Sequence, residues 1–174
     1  THGHSYVQSF TGIEDLKNHT LVGADGKVHD FVKIVLEIQK ELGFHYTNEG
    51  ELTSFIVYAQ AFPKGFLALV DTYDTLKSGV PNFICVALGL LKLGYKPIGV
   101  RLDSGDLSYL SRGTKKMLID VGARTAPDLS KCLILASNEI NKNVLISLKQ
   151  QGHEIDPFGI GTHLVTCDDQ PAME

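Results

Sequence analysis

The apolar positions change period partway along the chain. Over the first third they recur at helical spacing: Asp30 stands before a stripe of Phe31, Ile34, Val35, Ile38 and Leu42 that closes at Gly43, which predicts an aspartate-capped helix with one buried face. A second helix is predicted through Glu51, Leu52, Phe55, Ile56 and Tyr58, ended by Pro63-Lys64-Gly65. Between Gly12 and His29 the residues are mixed and polar, with a turn signal at Gly23-Ala24-Asp25-Gly26, so a surface loop is expected there. From Phe66 onward the pattern becomes short apolar runs alternating with helical stripes. The runs at 67–71, 98–103, 132–137 and 156–161 are rich in Val, Ile and Leu on both faces, as buried parallel strands are. Between them, Pro81 suits the first turn of a helix reaching Gly94, Asp106 can cap one through Val121, and Asn138 can cap one ending near Gly152.

This βαβαβαβ order repeats roughly every 30 residues, the spacing of an α/β barrel of about 250 residues. Four strands are half of such a barrel, and an open doubly wound sheet fits the same pattern. In both architectures ligands bind beyond the carboxyl ends of the strands, and here every strand runs into polar residues. The first ends in Asp71-Thr72-Tyr73-Asp74, the second in Arg101-Leu102-Asp103-Ser104-Gly105-Asp106, the third in Ser137-Asn138 and the fourth in Gly159-Ile160-Gly161-Thr162.

Each strand end has two readings. Gly159, Gly161 and Thr162 offer unobstructed amides and a hydroxyl to a phosphate, or form only a tight turn. Asp71 and Asp103, which end strands, are better candidates for ribose hydroxyls or the waters of Mg²⁺ than Asp74 and Asp106, which suit turns and caps. Arg101 and Asp103, two residues apart, point to the same side of their strand. They form a structural ion pair, or Arg101 turns its planar fork to a substrate carboxylate. No Cys or His spacing matches a zinc site, and a histidine such as His4 is by default an ordinary hydrogen-bonded one.

At 174 residues with 43% hydrophobic and 21% charged positions, the composition is that of one soluble globular domain and excludes disorder, collagen and coiled coil. A net charge of −4 gives no general attraction to nucleic acid or anionic membrane, so an anion must be held locally. Cys85, Cys132 and Cys167 are odd in number and widely spaced, which suits free thiols and a cytoplasmic setting. No apolar run approaches the roughly 18 residues of a membrane span, and the first residues carry no signal-peptide pattern.

Taken in order, the motifs resemble one family. Thr1-His2-Gly3-His4-Ser5, Glu49-Gly50-Glu51-Leu52, Leu69-Val70-Asp71-Thr72-Tyr73-Asp74, Arg101-Leu102-Asp103-Ser104-Gly105-Asp106-Leu107, Ser137-Asn138 and the block from Gln151 to Cys167 are together similar to the nicotinate phosphoribosyltransferases. The resemblance implies an irregular, incomplete TIM-like α/β barrel with flanking helices, part of a homodimeric enzyme of NAD biosynthesis. Its substrates would be nicotinate, phosphoribosyl pyrophosphate and ATP, with Mg²⁺. His4 would be the phosphohistidine that couples ATP hydrolysis to product formation, its ring oriented by Asp71 or Glu51. Arg101 would meet the pyridine carboxylate, and Asp71 and Asp103 would hold ribose hydroxyls and Mg²⁺-bound phosphate. Thr72, Ser104, Gly105, Ser137 and Asn138 would line the pocket, and Gly159, Gly161 and Thr162 would clasp the 5′-phosphate. Residues 1–174 are then expected to be a fragment of the barrel domain, inactive by itself. An upstream domain bearing the aromatic residues that sandwich the pyridine, and the remaining barrel elements, would lie outside it. The competing expectations are a nicotinamide phosphoribosyltransferase, which shares the Arg-x-Asp-Ser-Gly motif, and a noncatalytic scaffold that keeps the phosphate pocket.

Overall fold

A computed structural model describes residues 1–137 and 139–160. The chain opens with a short helix, α1 (His4–Gln8), and then a two-stranded antiparallel ribbon of β1 (Thr20–Val22) and β2 (Val28–Asp30). The segment expected to be a plain surface loop thus holds a ribbon. Only Leu21 of its six strand residues is buried, so there was no alternation for the sequence to display.

Two helices follow. In α2 (Phe31–Leu42) the Asp30 carboxylate accepts from the Lys33 N–H at 3.0 Å, and Gly43 closes the helix in the left-handed region at φ 73°. The apolar stripe Phe31, Val35 and Ile38 turns inward, as its spacing predicts. In α3 (Glu49–Ala61), Asn48 caps the first turn through the Glu51 N–H.

Three parallel strands then form the sheet in the order β3-β4-β5: β3 (Leu67–Leu69), β4 (Gly99–Leu102) and β5 (Leu133–Ala136). They are shorter than predicted because each apolar run leaves the ladder just before its polar end. Of the fourth predicted strand, Phe158 alone forms a parallel bridge, to Ala136, among the described residues. A parallel three-stranded sheet with flanking helices is observed, and among the described residues it does not close into a barrel.

Between the strands run α4 (Val80–Lys92), α5 (Leu107–Arg124) and α6 (Lys142–Gln151). Pro81 lies in the first turn of α4, and Asp106 caps α5 through the Tyr109 N–H at 2.9 Å. The cap of α6 is not Asn138 but Asn141, which accepts from the Val144 N–H at 3.0 Å. Asn138 lies outside the described residues. Helix α4 is buried all round from Val80 to Leu90, covered by α2, α3 and α5. With Phe66, Phe83, Val100 and Ile134 it makes one continuous core. Burial of that much aliphatic surface is the main force holding the strands in register, and it leaves their carboxyl ends to carry the chemistry. Among the described residues no helix is long and apolar enough to cross a membrane.

Candidate active site at the strand ends

Residues from four separate segments meet at the carboxyl edge of the sheet. His4, in the first turn of α1, places Nε2 3.0 Å from Asp71 Oδ1. The imidazole is 39% exposed while the aspartate is 2% exposed, so a buried carboxylate presents a ring to solvent. The other oxygen, Asp71 Oδ2, accepts from the Asp103 N–H at 2.9 Å and the Ser104 hydroxyl at 2.6 Å. Asp71 therefore joins the loops after β3 and β4 to the histidine. Both of its carboxylate oxygens are thus engaged within the chain. Glu51 does not touch the ring; its partners are Ser78 and Asn82.

A second cluster spans β4 and β5. Arg101 Nη2 lies 3.2 Å from Asp103 Oδ1, Arg101 Nε donates to Ser137 Oγ at 2.8 Å, and the Ser137 hydroxyl donates to Asp103 Oδ1 at 2.5 Å. The ion-pair reading of Arg101 and Asp103 is thus realised, yet the two side chains stay 21% and 28% exposed. Burial works against the Asp103 charge, but the Ser137 hydroxyl and the Arg101 guanidinium outweigh it and hold the carboxyl below its usual range. Ser137, expected only as a lining residue, proves to be the hinge of this triangle.

Thr72 Oγ1 is buried with no hydrogen-bond partner among the described residues, an arrangement that a bound polar group would relieve. Gly105 and Asp106 border a cleft of about 400 Å³ between the amino-terminal end of α5 and one side of α6, from Asn141 to Gln151. The Gly159 N–H donates to the Ala136 carbonyl at 2.7 Å, so that amide belongs to the sheet and is not turned toward a phosphate as the glycine spacing suggested. Its lack of a side chain instead allows close packing on Ser137, whose Cβ would sit 3.3 Å from a Cβ at this position. Gly161 and Thr162 lie outside the described residues.

His2, carried in the Thr1-His2-Gly3-His4-Ser5 motif without a role of its own, is a neighbour of the site. Its ring packs among Tyr6, Phe55 and Tyr58, and Nε2 accepts from the Leu69 N–H at 3.4 Å. Burial pushes its pKa down to about 4, so it is neutral and fastens the segment before His4 to the edge strand β3. Alternation of two histidines around Gly3 is its only sequence signal.

A parallel α/β unit that gathers a histidine–aspartate pair and an arginine–aspartate–serine triangle at one sheet edge has the layout of an α/β enzyme segment. Comparison with known proteins makes this specific. The structure matches the human nicotinic acid phosphoribosyltransferase crystal structure with a TM-score of 0.82 and 38% sequence identity, over 92% of this chain and 34% of that one. Over 99% of its length the chain is 50% identical to the nicotinate phosphoribosyltransferase of Dictyostelium discoideum. It is 47% identical to nicotinate phosphoribosyltransferase 1 of Arabidopsis thaliana over the same share. The chain is thus homologous, end to end, to one segment of the nicotinate phosphoribosyltransferases, and it spans about a third of the length of these relatives. No family model matches it.

Proposed function

We propose that the chain is the part of a nicotinate phosphoribosyltransferase that carries the phosphoryl-accepting histidine and part of the substrate pocket. The whole enzyme would form nicotinate mononucleotide and pyrophosphate from nicotinate and phosphoribosyl pyrophosphate, with ATP hydrolysis coupled through His4. The observation that carries this reading is the buried Asp71 holding His4 toward solvent beside the Arg101–Asp103–Ser137 triangle, within a segment homologous to enzymes of that name.

In the tautomer that donates Nε2–H to Asp71, His4 Nδ1 carries a free lone pair. That nitrogen attacks the γ-phosphorus of ATP, the bond to the bridging oxygen breaks, and ADP departs with the electron pair. Water later cleaves the phosphoramidate. In between, the added charge and acceptor oxygens alter affinity for substrates and products. Arg101 presents the Nη1 side of its fork to the nicotinate carboxylate, while Asp103 and Ser137 hold the other side. A carboxylate gains a charge-assisted pair there that a neutral carboxamide does not, which favours nicotinate over nicotinamide. Thr72, Ser104 and Gly105 line the pocket with Asn138, and Gly161 and Thr162 take the 5′-phosphate. The transferring sugar is oxocarbenium-like as pyrophosphate leaves, so positioning and charge stabilisation supply most of the catalysis.

Among the described residues no three His, Cys, Asp or Glu side chains converge to hold a metal. Mg²⁺ fits here as a companion of substrate phosphates, with the partly exposed Asp103 meeting its water shell, and it would neutralise phosphate charge. The three-stranded sheet is read as part of an incomplete TIM-like barrel, residues 1–174 as a fragment of that domain, and the whole enzyme as a cytoplasmic homodimer. The free, buried thiols of Cys85 and Cys132 support the compartment. The test is incubation of the whole protein with γ-labelled ATP and Mg²⁺. Acid-labile label is expected on His4 and lost in His4→Ala; equal labelling of the variant would overturn the assignment.

A further inference from the structure

The first turn of α3 contains a carboxylate with no role in the scheme above. Glu51 is 0% exposed. Its Oε2 accepts from the Ser78 hydroxyl at 2.6 Å and from Asn82 Nδ2 at 3.0 Å, while Oε1 is buried with no partner among the described residues. Ser78 Oγ also accepts from the Asn48 N–H at 2.9 Å, and Asn82 Nδ2 reaches the Asn48 carbonyl at 3.0 Å. One buried group thus ties α3 to α4 and to the π-type turn Thr75–Gly79 between β3 and α4. A buried, partly satisfied carboxyl is costly compared with an aliphatic side chain of similar volume, so its presence calls for a reason other than packing.

The reason lies in what the turn touches on either side. At Gly50 a Cβ would overlap the Phe10 carbonyl oxygen, so the chain leaving α1 lies directly against α3, and Tyr6 Oη donates to the Ser54 carbonyl at 3.2 Å. That side carries His4. On the other side Ser78 belongs to the turn that follows Asp71 and Asp74, and at Gly79 a Cβ would overlap the Val70 carbonyl oxygen, which presses this turn against the end of β3. That side carries Asp71. We infer that Glu51 is a positioning residue for the His4–Asp71 pair, fixing residues 71–79 through Ser78 and Asn82 while α3 fixes α1.

Its neutral form suits this task. Burial lifts its pKa to about 7 against the pull of the Ser78 and Asn82 donors, and Asp71 and Asp74, facing it from the loop after β3, add to the rise. Glu49 shares its turn but is exposed, and Asn48, Ser78 and Asn82 are uncharged. A carboxyl raised from 4.5 to about 7 contributes stability that is fully present below 4.5 and is lost as pH rises through 7. The geometric claim does not depend on the phosphohistidine reading; only its consequence for activity does.

The test uses the whole protein, Glu51→Gln and Glu51→Ala, read by hydrogen exchange of amides 71–79, by the NMR titration of the His4 ring, and by labelling with γ-labelled ATP. Glu51→Ala is expected to raise exchange at 71–79 at least tenfold and to move the His4 titration midpoint. Wild type should lose protection at 71–79 between pH 5 and 8, and Glu51→Gln should remove that loss. Unchanged exchange and His4 titration in the alanine variant would overturn the inference, as would a rise shared equally by β5 and α5. Should the alanine variant not fold, identical pH profiles of wild type and Glu51→Gln would overturn it. If exchange and titration behave as expected while wild type takes up no label, the phosphohistidine reading fails and the positioning role stands.

Discussion

Replacing Asp71 by Asn separates what this carboxylate does for the fold from what it does for His4. The amide oxygen can keep the Asp103 N–H and the Ser104 hydroxyl, both of which converge on Oδ2, while the amide nitrogen takes the place of Oδ1 opposite His4. An NH₂ group in that place makes His4 Nε2 the acceptor and moves the ring proton to Nδ1. The outward nitrogen then has no lone pair for phosphorus. The net loss of stability should be about 1 kcal/mol, the size of one exchanged hydrogen bond. Phosphoryl transfer should fall on the order of 10⁴-fold, the scale of a wrong-tautomer defect in an acid–histidine pair. Asp71→Ala behaves differently: it leaves the partly buried Asp103 N–H and the inner face of His4 unpaired, at about 1–3 kcal/mol for each buried group left unsatisfied. Ser104, at the exposed edge, can turn to water. Denaturant unfolding measured beside labelling with γ-labelled ATP distinguishes the two variants. An asparagine variant that is labelled at the wild-type rate would refute the tautomer argument; one that unfolds as easily as the alanine variant would refute the hydrogen-bond assignment.

Three further outcomes are expected. Arg101→Lys keeps the charge but not the fork, so the KM for nicotinate should rise at least tenfold while the midpoint of thermal unfolding changes little; near-normal nicotinate kinetics would return Arg101 to a purely structural role. Asp103, held below 3.8 chiefly by Ser137 and Arg101 against the opposing effect of burial, contributes stability that is present above that pH and lost as pH falls through its lower folded value. Ser137→Ala should therefore flatten the acid limb of an unfolding-versus-pH profile. Asn141→Ala removes the α6 cap and should cost about 1 kcal/mol in denaturant unfolding, whereas a capping role for Asn138 would leave that variant unaffected.

The strands were legible because parallel strands buried on both faces read as apolar runs, and because Asp71, Asp103 and Ser137 stop those runs where the ladder ends. The caps Asp30 and Asp106 were legible for a local reason, a short acid just before a helical stripe. At α6 two asparagines three residues apart competed, and the nearer one, Asn141, holds the Val144 N–H. The ribbon at β1 and β2 escaped notice because strands of three residues with mostly exposed side chains carry no period. The pairing of Arg101 with Asp103 was readable from their two-residue spacing, but the third member, Ser137, is 34 residues beyond Asp103. Glu51 gave the opposite difficulty: its helix was visible, yet its burial depends on Ser78 and Asn82, which lie 27 and 31 residues away. Tertiary partners of this kind leave no local trace.

The most direct test of the account is product formation by the whole protein. Purified enzyme is supplied with phosphoribosyl pyrophosphate, Mg²⁺ and ATP and with nicotinate or nicotinamide in parallel, and the nucleotide formed is separated and quantified. The account predicts nicotinate mononucleotide with stoichiometric pyrophosphate, a rate that falls at least tenfold in His4→Ala when ATP is present, and little product from nicotinamide. Equal or greater turnover of nicotinamide, or no nucleotide from either base, would contradict it.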